Sequence, residues 1–240
     1  MENLQSFKIL IANESHTKYA QEIVDEMASS ALARGTGIAK RSPEYIEEKM
    51  REGKAVIAFA PDGKWAGFCY IETWSHGQYV ANSGLIVSPP YRKGGLAKAI
   101  KKKIFELSRQ KYPDAKLFGL TTGLAVMKIN SELGYEPVTY SELTQDEAFW
   151  AGCKSCVNYE ILMSKDRKNC MCTAMLYDPK DHYQPEETKK FFEEKKSVLE
   201  RLMRIKQLKF LKGLFKKDGN GDNTVKATKS KSLLHQFFNF

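Results

Sequence analysis

At 240 residues and 27.3 kDa the chain has the length of one ordinary domain with an appended element, and it can bury a core without disulfide or metal staples. Its 42% hydrophobic, 11% aromatic and 28% charged residues exclude a chain that is disordered throughout. No apolar run approaches the ~20 residues that cross a bilayer. Met1 to Ser6 lack the basic and apolar regions of a secretory signal, so a cytoplasmic location and no membrane partner are expected.

The net charge of +9 is unevenly distributed. Residues 185–240 carry 14 Lys/Arg against 7 Asp/Glu and supply +7, whereas the first 184 residues carry 24 basic and 22 acidic side chains. The excess therefore concerns what the tail touches more than what the main domain does.

Phe7 to Ala12 reads as a short strand, and Ser15 then caps a helix in which Tyr19, Ile23, Met27 and Ala31 recur at helical spacing. Ser42-Pro43-Glu44 starts a second helix, with serine at the cap and proline in the first turn, that ends by Gly53. Ala55 to Ala60, Trp65 to Thr73 and Tyr79 to Val87 read as an antiparallel meander, the first pair joined by a Pro61-Asp62-Gly63-Lys64 turn. Pro89 and Pro90 end the third strand. Gly94-Gly95 opens a helix with Leu96, Ile100, Ile104 and Leu107 on one stripe, and Tyr112-Pro113 stops it.

Lys116 to Thr121 is the next strand, Leu124 to Leu133 a helix closed by Gly134, and Tyr135 to Val138 a further strand. Residues 139–172 are less periodic and hold four of the five cysteines, and Cys172 to Tyr177 is placed to close the sheet. A domain over residues 1–180, with a cysteine-rich segment at 150–175, is expected. An amphipathic helix over 185–212 and a basic, largely disordered tail over 213–240 follow, with Leu233 to Phe240 able to dock.

Backbone amides that open a helix form an anion site, since they lack partners one turn back and the helix dipole adds positive potential. Arg92-Lys93-Gly94-Gly95-Leu96-Ala97 stands at such a start, directly after a strand. Glycine lets a phosphate approach the backbone, and Arg92 and Lys93 carry the right charge. Taken alone, these six residues also fit a solvated turn.

The order of elements around them adds a second signal. Val87-Ser88-Pro89-Pro90-Tyr91-Arg92-Lys93-Gly94-Gly95-Leu96-Ala97 resembles motif A of the GNAT acyltransferase superfamily, matching at Arg92, Gly95 and Ala97. Glu132-Leu133-Gly134-Tyr135-Glu136-Pro137 resembles its next signature. The resemblance covers about residues 5–140. It implies an α/β fold (α+β mixed sheet) whose sheet is splayed beside the strand at 79–87, with acetyl-CoA as acyl donor lying in the gap. Its diphosphate would rest on the amides of residues 92–97, and its pantetheine arm would bond along Ile86 and Val87. A splayed strand has unpaired amides, and an amide-bearing chain can satisfy them as an added strand would.

Transfer to an amine needs a base. Glu72 is the preferred candidate and His76 the other, each equally readable as a solvated residue near a strand end. The superfamily's tyrosine acid falls at Asn130, whose amide donates a hydrogen bond but releases no proton at neutral pH. The frequent asparagine at the head of that helix is replaced by Gly123.

Cys69 sits in a strand pattern as a small core hydrophobe. Cys153-x-x-Cys156 and Cys170-x-Cys172 make two close pairs. Four free thiols remain an open reading, because the second pair is tighter than usual ligand spacing, but zinc held by the four is preferred, since the Lys165 to Lys168 stretch between the pairs has no core of its own and a metal would clip it. This cysteine block also resembles a bacterial GNAT subset associated with arginine biosynthesis, which implies an amino-acid acceptor such as glutamate. Asp218 to Asp222 imitates a calcium loop, but Lys229 stands where its bidentate glutamate belongs.

Two functional classes follow. One is an N-acyltransferase acting on a small-molecule amine, as a monomer or homo-oligomer. The other is a non-catalytic zinc-containing module that binds nucleic acid or the ribosome through its basic tail.

Overall fold

A computed structural model describes residues 7–35 and 40–182. The expected tail elements at 185–212 and 213–240 lie outside the described residues. Seven strands form one sheet in the order β1-β2-β3-β4-β5-β7-β6. β1 (Lys8–Ile11), β2 (Ala55–Phe59), β3 (Trp65–Trp74) and β4 (Tyr79–Val87) are successive antiparallel neighbours, so the expected meander is present. β5 (Lys116–Thr121) lies parallel to β4. β7 (Thr173–Tyr177) inserts antiparallel between β5 and the short edge strand β6 (Glu136–Val138).

Alternation along the strands sorts the core onto two faces. Phe68, Tyr70 and Ile57 meet Ile23 and Met27 of α1 (Ala20–Arg34) and Ile46 and Met50 of α2 (Pro43–Arg51). On the other face, Cys69, Ile71 and Val80 meet Leu96, Ile100, Ile104 and Leu107 of α3 (Leu96–Lys111), the stripe read from the sequence. Ile100 and Ile104 are fully buried, worth roughly 1.5–3 kcal/mol each relative to exposure. α4 (Leu124–Glu132) ends at Gly134, whose φ of +88° is the left-handed conformation that closes a helix.

One cap differs from expectation. α1 is preceded by a tight helical stretch, Glu14–Tyr19, whose cap is Asn13 rather than Ser15. The Asn13 carboxamide oxygen accepts from both the Ser15 N–H (3.0 Å) and its hydroxyl (2.7 Å). Asparagine two residues earlier thus satisfies the orphan donors first.

The irregular segment 139–172 forms two short helices, α5 (Glu147–Ala151) and α6 (Tyr159–Ser164). Its Tyr140, Leu143, Trp150 and Leu162 cover Phe118, Ala174 and Leu176 of β5 and β7. No helix among the described residues is long and apolar enough to cross a membrane.

The sheet opens in the middle. β4 pairs with β5 only at Tyr79↔Lys116, Val80↔Leu117 and Ala81↔Phe118, whereas β5 continues to Thr121 alongside β7. From Asn82 to Val87, β4 keeps β3 as its partner and leaves the β5 side open among the described residues. A bulge lies within this stretch: Phe68 faces Ile86 but Tyr70 faces Ser83, so β4 carries one extra residue. Gly84 supplies the bend with φ +63°, and a Cβ there would enter the Tyr70 ring. Bulges bend a strand and increase its twist, which accounts for β4 leaving β5 at this point.

Candidate active site

The open edge of β4 runs into the loop that starts α3. After the Pro89–Tyr91 turn, Lys93 (φ +67°) and Gly95 (φ +86°) both adopt left-handed conformations, and Gly95 is the N-cap of α3. Alternating handedness of this kind turns successive N–H groups to one side as an anion-binding nest. The N–H groups of Lys93, Gly94, Gly95, Leu96 and Ala97 have no hydrogen-bond acceptor among the described residues. Lys93, Gly94 and Gly95 are exposed, and nothing lies within 4 Å of a Cβ built on Gly94. Leu96 itself is 1% exposed, so it anchors α3 in the core and offers only its backbone.

Arg92 does something other than expected. Its Nε donates to the Val87 carbonyl (2.8 Å), and its Nη2 donates to Glu26 Oε1 (2.7 Å) and Ser30 Oγ (2.8 Å) on α1. The side chain ties the end of β4 to α1, and Glu26 balances its charge. Free basic charge beside the amides comes instead from Lys93. Ile86 and Val87, buried side chains on the open stretch, meet the α1 face and the α3 face respectively.

Glu72 lies on the face covered by α1, α2 and the 139–172 segment, directly across from Ala81, the last β4 residue paired to β5. It is 6% exposed. Glu72 Oε1 accepts from Arg41 Nη2 (2.9 Å) and from the Tyr45 hydroxyl (2.7 Å), while Arg41 Nε donates to the Tyr70 hydroxyl (3.1 Å). Glu72 Oε2 has no partner among the described residues. Burial opposes the charge on Arg41, but Tyr70 and Glu72 outweigh it and hold the guanidinium cationic well above its ordinary range. Burial, reinforced by the Glu72 carboxylate, keeps Tyr45 protonated. These groups line a cleft of about 360 Å³ with Lys40, Ser42 and Trp74, whose indole N–H is buried without an acceptor.

Sequence reasoning reached Glu72 but missed Arg41 and Tyr45. Arg41 precedes a helix cap and belongs to no periodic pattern, and its partner lies 31 residues away. His76 sits exposed in the β3–β4 turn with φ +56°, outside this group.

Asn130 is 1% exposed. Its Nδ2 faces Met175 Sδ at 3.7 Å and its Oδ1 is buried without a donor. The amide is closed beneath α4, so the thiolate contact expected of it would require it to leave that position.

The four clustered cysteines carry no preformed cage. Among the described residues no group of three or more His, Cys, Asp or Glu side chains is placed to hold a metal. Cys153 and Cys170 pack against the apolar cluster of the segment, the Asn158 N–H donates to Cys156 Sγ (3.4 Å), and Cys170 Sγ donates to the Asn158 carbonyl (3.8 Å). Burial first, and neighbouring thiols second, push Cys172 up to about 12 and also raise Cys153. Cys153, Cys156, Cys170 and Cys172 are therefore free thiols here, and the zinc expectation is not supported.

The splayed sheet thus carries unpartnered amides at one end of its open strand and a buried carboxylate across its fork. Residues 36–125 match the acetyltransferase (GNAT) family, from the connection before α2 through the start of α4.

Among curated proteins, a thialysine N-epsilon-acetyltransferase of Caenorhabditis elegans is 26% identical over 150 residues, which is 61% of this chain and 91% of that protein. Among solved structures, N-acetylglutamate synthase of Neisseria gonorrhoeae, complexed with coenzyme A and N-acetyl-glutamate, matches with TM-score 0.50 at 19% identity over 72% of this chain. The match spans only 35% of that synthase. A Mycobacterium tuberculosis protein in complex with CoA matches with TM-score 0.50 at 18% identity, over 71% of this chain and 98% of its own. At these identities the likeness to the solved structures is one of fold.

Proposed function

We propose that this domain transfers an acetyl group from acetyl-CoA directly to the amine of a small molecule, and that the acceptor is an amino acid. The observation that carries this reading is the layout of β4. Its unpaired stretch ends, at Val87, beside the five unpartnered amides, and begins one residue beyond Ala81, opposite Glu72. Strand geometry makes that interval about 20 Å, long enough for an extended amide-bearing arm between an anchored diphosphate and a thioester at the fork.

The chain's own groups supply the rest of the step. Lys93 and the amides of residues 93–97 hold the diphosphate. The edge of β4 from Asn82 to Val87 bonds the pantetheine arm, and its N–H groups at the bulge stand where the thioester oxygen gains charge. Arg41 and Tyr45 fix Glu72 through Oε1, leaving Oε2 to take a proton from the acceptor amine, directly or through one water. The freed amine bonds to the acetyl carbon and the thiol of CoA departs.

Lys40, Arg41 and the Trp74 N–H offer positive charge and a donor beside Glu72, a pairing suited to a molecule with an amine and a carboxylate. The amino-acid acceptors in the names of the C. elegans and N. gonorrhoeae proteins support the same class. The test is thiol release from acetyl-CoA over a panel of amino acids and plain amines. Release with amino acids, and weaker release with amines lacking the carboxylate, is expected; release with neither contradicts the reading.

A further inference from the structure

Arg41 lies in the connection before α2, where neither its N–H nor its carbonyl has a hydrogen-bond partner among the described residues. Its place is therefore set by its side chain, which carries about 2 kcal/mol of rotamer entropy when free. Nη1 donates to the Lys40 carbonyl (3.2 Å) within the same connection, and the guanidinium lies 5.2 Å from the centre of the Tyr45 ring. Among its partners, only Tyr70 and Glu72, both on β3, tie it to the sheet.

Tyr70 also reaches the fork of the sheet. It stands opposite Ser83 across the β4 bulge, and its ring, with Met27 of α1, fills the space that a Cβ on Gly84 would enter. Tyr70 and Glu72, two residues apart on one strand, point to the same face of the sheet. Tyr70 is 2% exposed, and its ring packs on those of Phe68 and Tyr45 with centroids 6.0 Å apart in each pair. Burial first, with Glu72 adding to it, keeps the Tyr70 hydroxyl protonated at neutral pH, so it orients the guanidinium without taking its charge from Glu72.

We propose that Tyr70 is a positioning residue of the transfer site: its ring holds the β4 bulge, and its hydroxyl aims Arg41 and, through Arg41, the Glu72 carboxylate. This rests on the acetyl-transfer reading, in which Glu72 takes the proton of the acceptor amine and the bulge amides face the thioester oxygen. Those two groups come from neighbouring strands and must act on one pair of reactants at once. Tyr70 bridges them. Arg41 Nε donates to its hydroxyl (3.1 Å), and Nη2 of the same guanidinium donates to Glu72 Oε1 (2.9 Å). The planar fork of arginine makes both bonds from one rigid group, so fixing Nε fixes the direction of Nη2.

The Tyr45 hydroxyl also donates to Glu72 Oε1 (2.7 Å), but it comes from α2 and makes no hydrogen bond to Arg41. Without the Tyr70 hydroxyl, Glu72 keeps the Tyr45 donor and loses the fixed direction of the Arg41 one. A displacement of about 1 Å at a reacting group costs on the order of 10²-fold in rate. Tyr70 is itself buried, so it acts through Arg41 and Gly84 rather than on the reactants.

The test compares the wild-type chain with Tyr70→Phe, which keeps the ring against Gly84 and removes the hydroxyl. Turnover, read as thiol release from acetyl-CoA with the amino-acid panel, should fall about 10- to 10²-fold. KM for acetyl-CoA should stay within about threefold, since the ring still supports the β4 edge. A merely structural hydroxyl would slow every form of the enzyme alike, so the deciding readout is a double-mutant cycle with Glu72→Gln. With the base gone, adding Tyr70→Phe should change kcat by less than about twofold. Equal slowing in both backgrounds, a Tyr70→Phe chain as fast as wild type, or a loss carried wholly by KM for acetyl-CoA overturns the proposal. Failure of Tyr70→Phe to fold marks the hydroxyl as structural and also overturns it. If the wild type releases no thiol, or Glu72→Gln is as fast as wild type, the acetyl-transfer reading with Glu72 as base fails and the proposal with it; activity that needs Glu72 but not the Tyr70 hydroxyl sinks the proposal alone.

Discussion

Arg41 Nη2 sits 2.9 Å from Glu72 Oε1, joining the residue before the α2 cap to the inner half of β3. The bond fixes one carboxylate oxygen, and the other has no partner among the described residues. Replacing the carboxylate with its amide keeps the shape and removes the proposed base. Glu72→Gln is expected to lower kcat by about 10²- to 10⁴-fold. Calorimetry should find its affinity for CoA unchanged, because the proposed CoA site is the β4 edge and the α3 loop. Unchanged turnover removes Glu72 from the mechanism.

Arg92 acts through its three hydrogen bonds to Val87, Glu26 and Ser30. Arg92→Met frees the end of β4 from α1 and lets the nest drift. KM for acetyl-CoA should rise about tenfold, equivalent to ~1.4 kcal/mol. The stability loss should stay near ~1 kcal/mol, since the pair is partly exposed. Steady-state kinetics and urea unfolding separate the two effects.

Gly84 combines a left-handed backbone with a space that Tyr70 and Met27 already fill. Gly84→Ala must strain the bulge or displace the Tyr70 ring. A loss of about 3 kcal/mol or more in urea unfolding is expected, from backbone strain and overpacking together. Because Tyr70 also contacts Arg41, turnover should fall too.

Lys101 gives stability a pH signature with a definite sign. Burial sets its native pKa below the ordinary value near 10.4, so between the two values the unfolded chain binds more protons. Stability attributable to this residue therefore rises with pH across that window and carries its full penalty below it. Burial pushes Cys69 up to about 11, which contributes the opposite slope above its unfolded value in both proteins. Thermal melts from pH 7 to 10.5 should show Lys101→Met the more stable at the low end, with the gap narrowing toward the high end. A constant gap contradicts the buried-ammonium account.

The legible parts of the fold were those with a strong local period. The meander, the Leu96–Leu107 stripe and the Gly134 stop each follow from residues within one element. The nest was legible because glycines and a double proline mark it. The fork was legible only through resemblance, since it depends on where β4 leaves β5. The Gly84 bulge behind it leaves one glycine in an apolar run as its trace.

The site was half legible. Glu72 was reached as a carboxylate near a strand end, but Arg41 and Tyr45 reach it from a loop and a helix turn 27 to 31 residues earlier. Arg92 was read by its charge, and its pairing with Glu26 across 66 residues was not legible. The cysteine spacing resembled a metal site, yet among the described residues the four side chains form no group placed to hold a metal, and Cys153 and Cys170 pack beside Tyr140 and Trp150.

Amide hydrogen exchange with and without CoA tests the central claim most directly. The account predicts that CoA slows exchange at Lys93, Gly94, Gly95, Leu96 and Ala97 and along Asn82 to Val87, leaving β1 and β2 unaffected. Exchange at the nest and the β4 edge that does not respond to saturating CoA contradicts it.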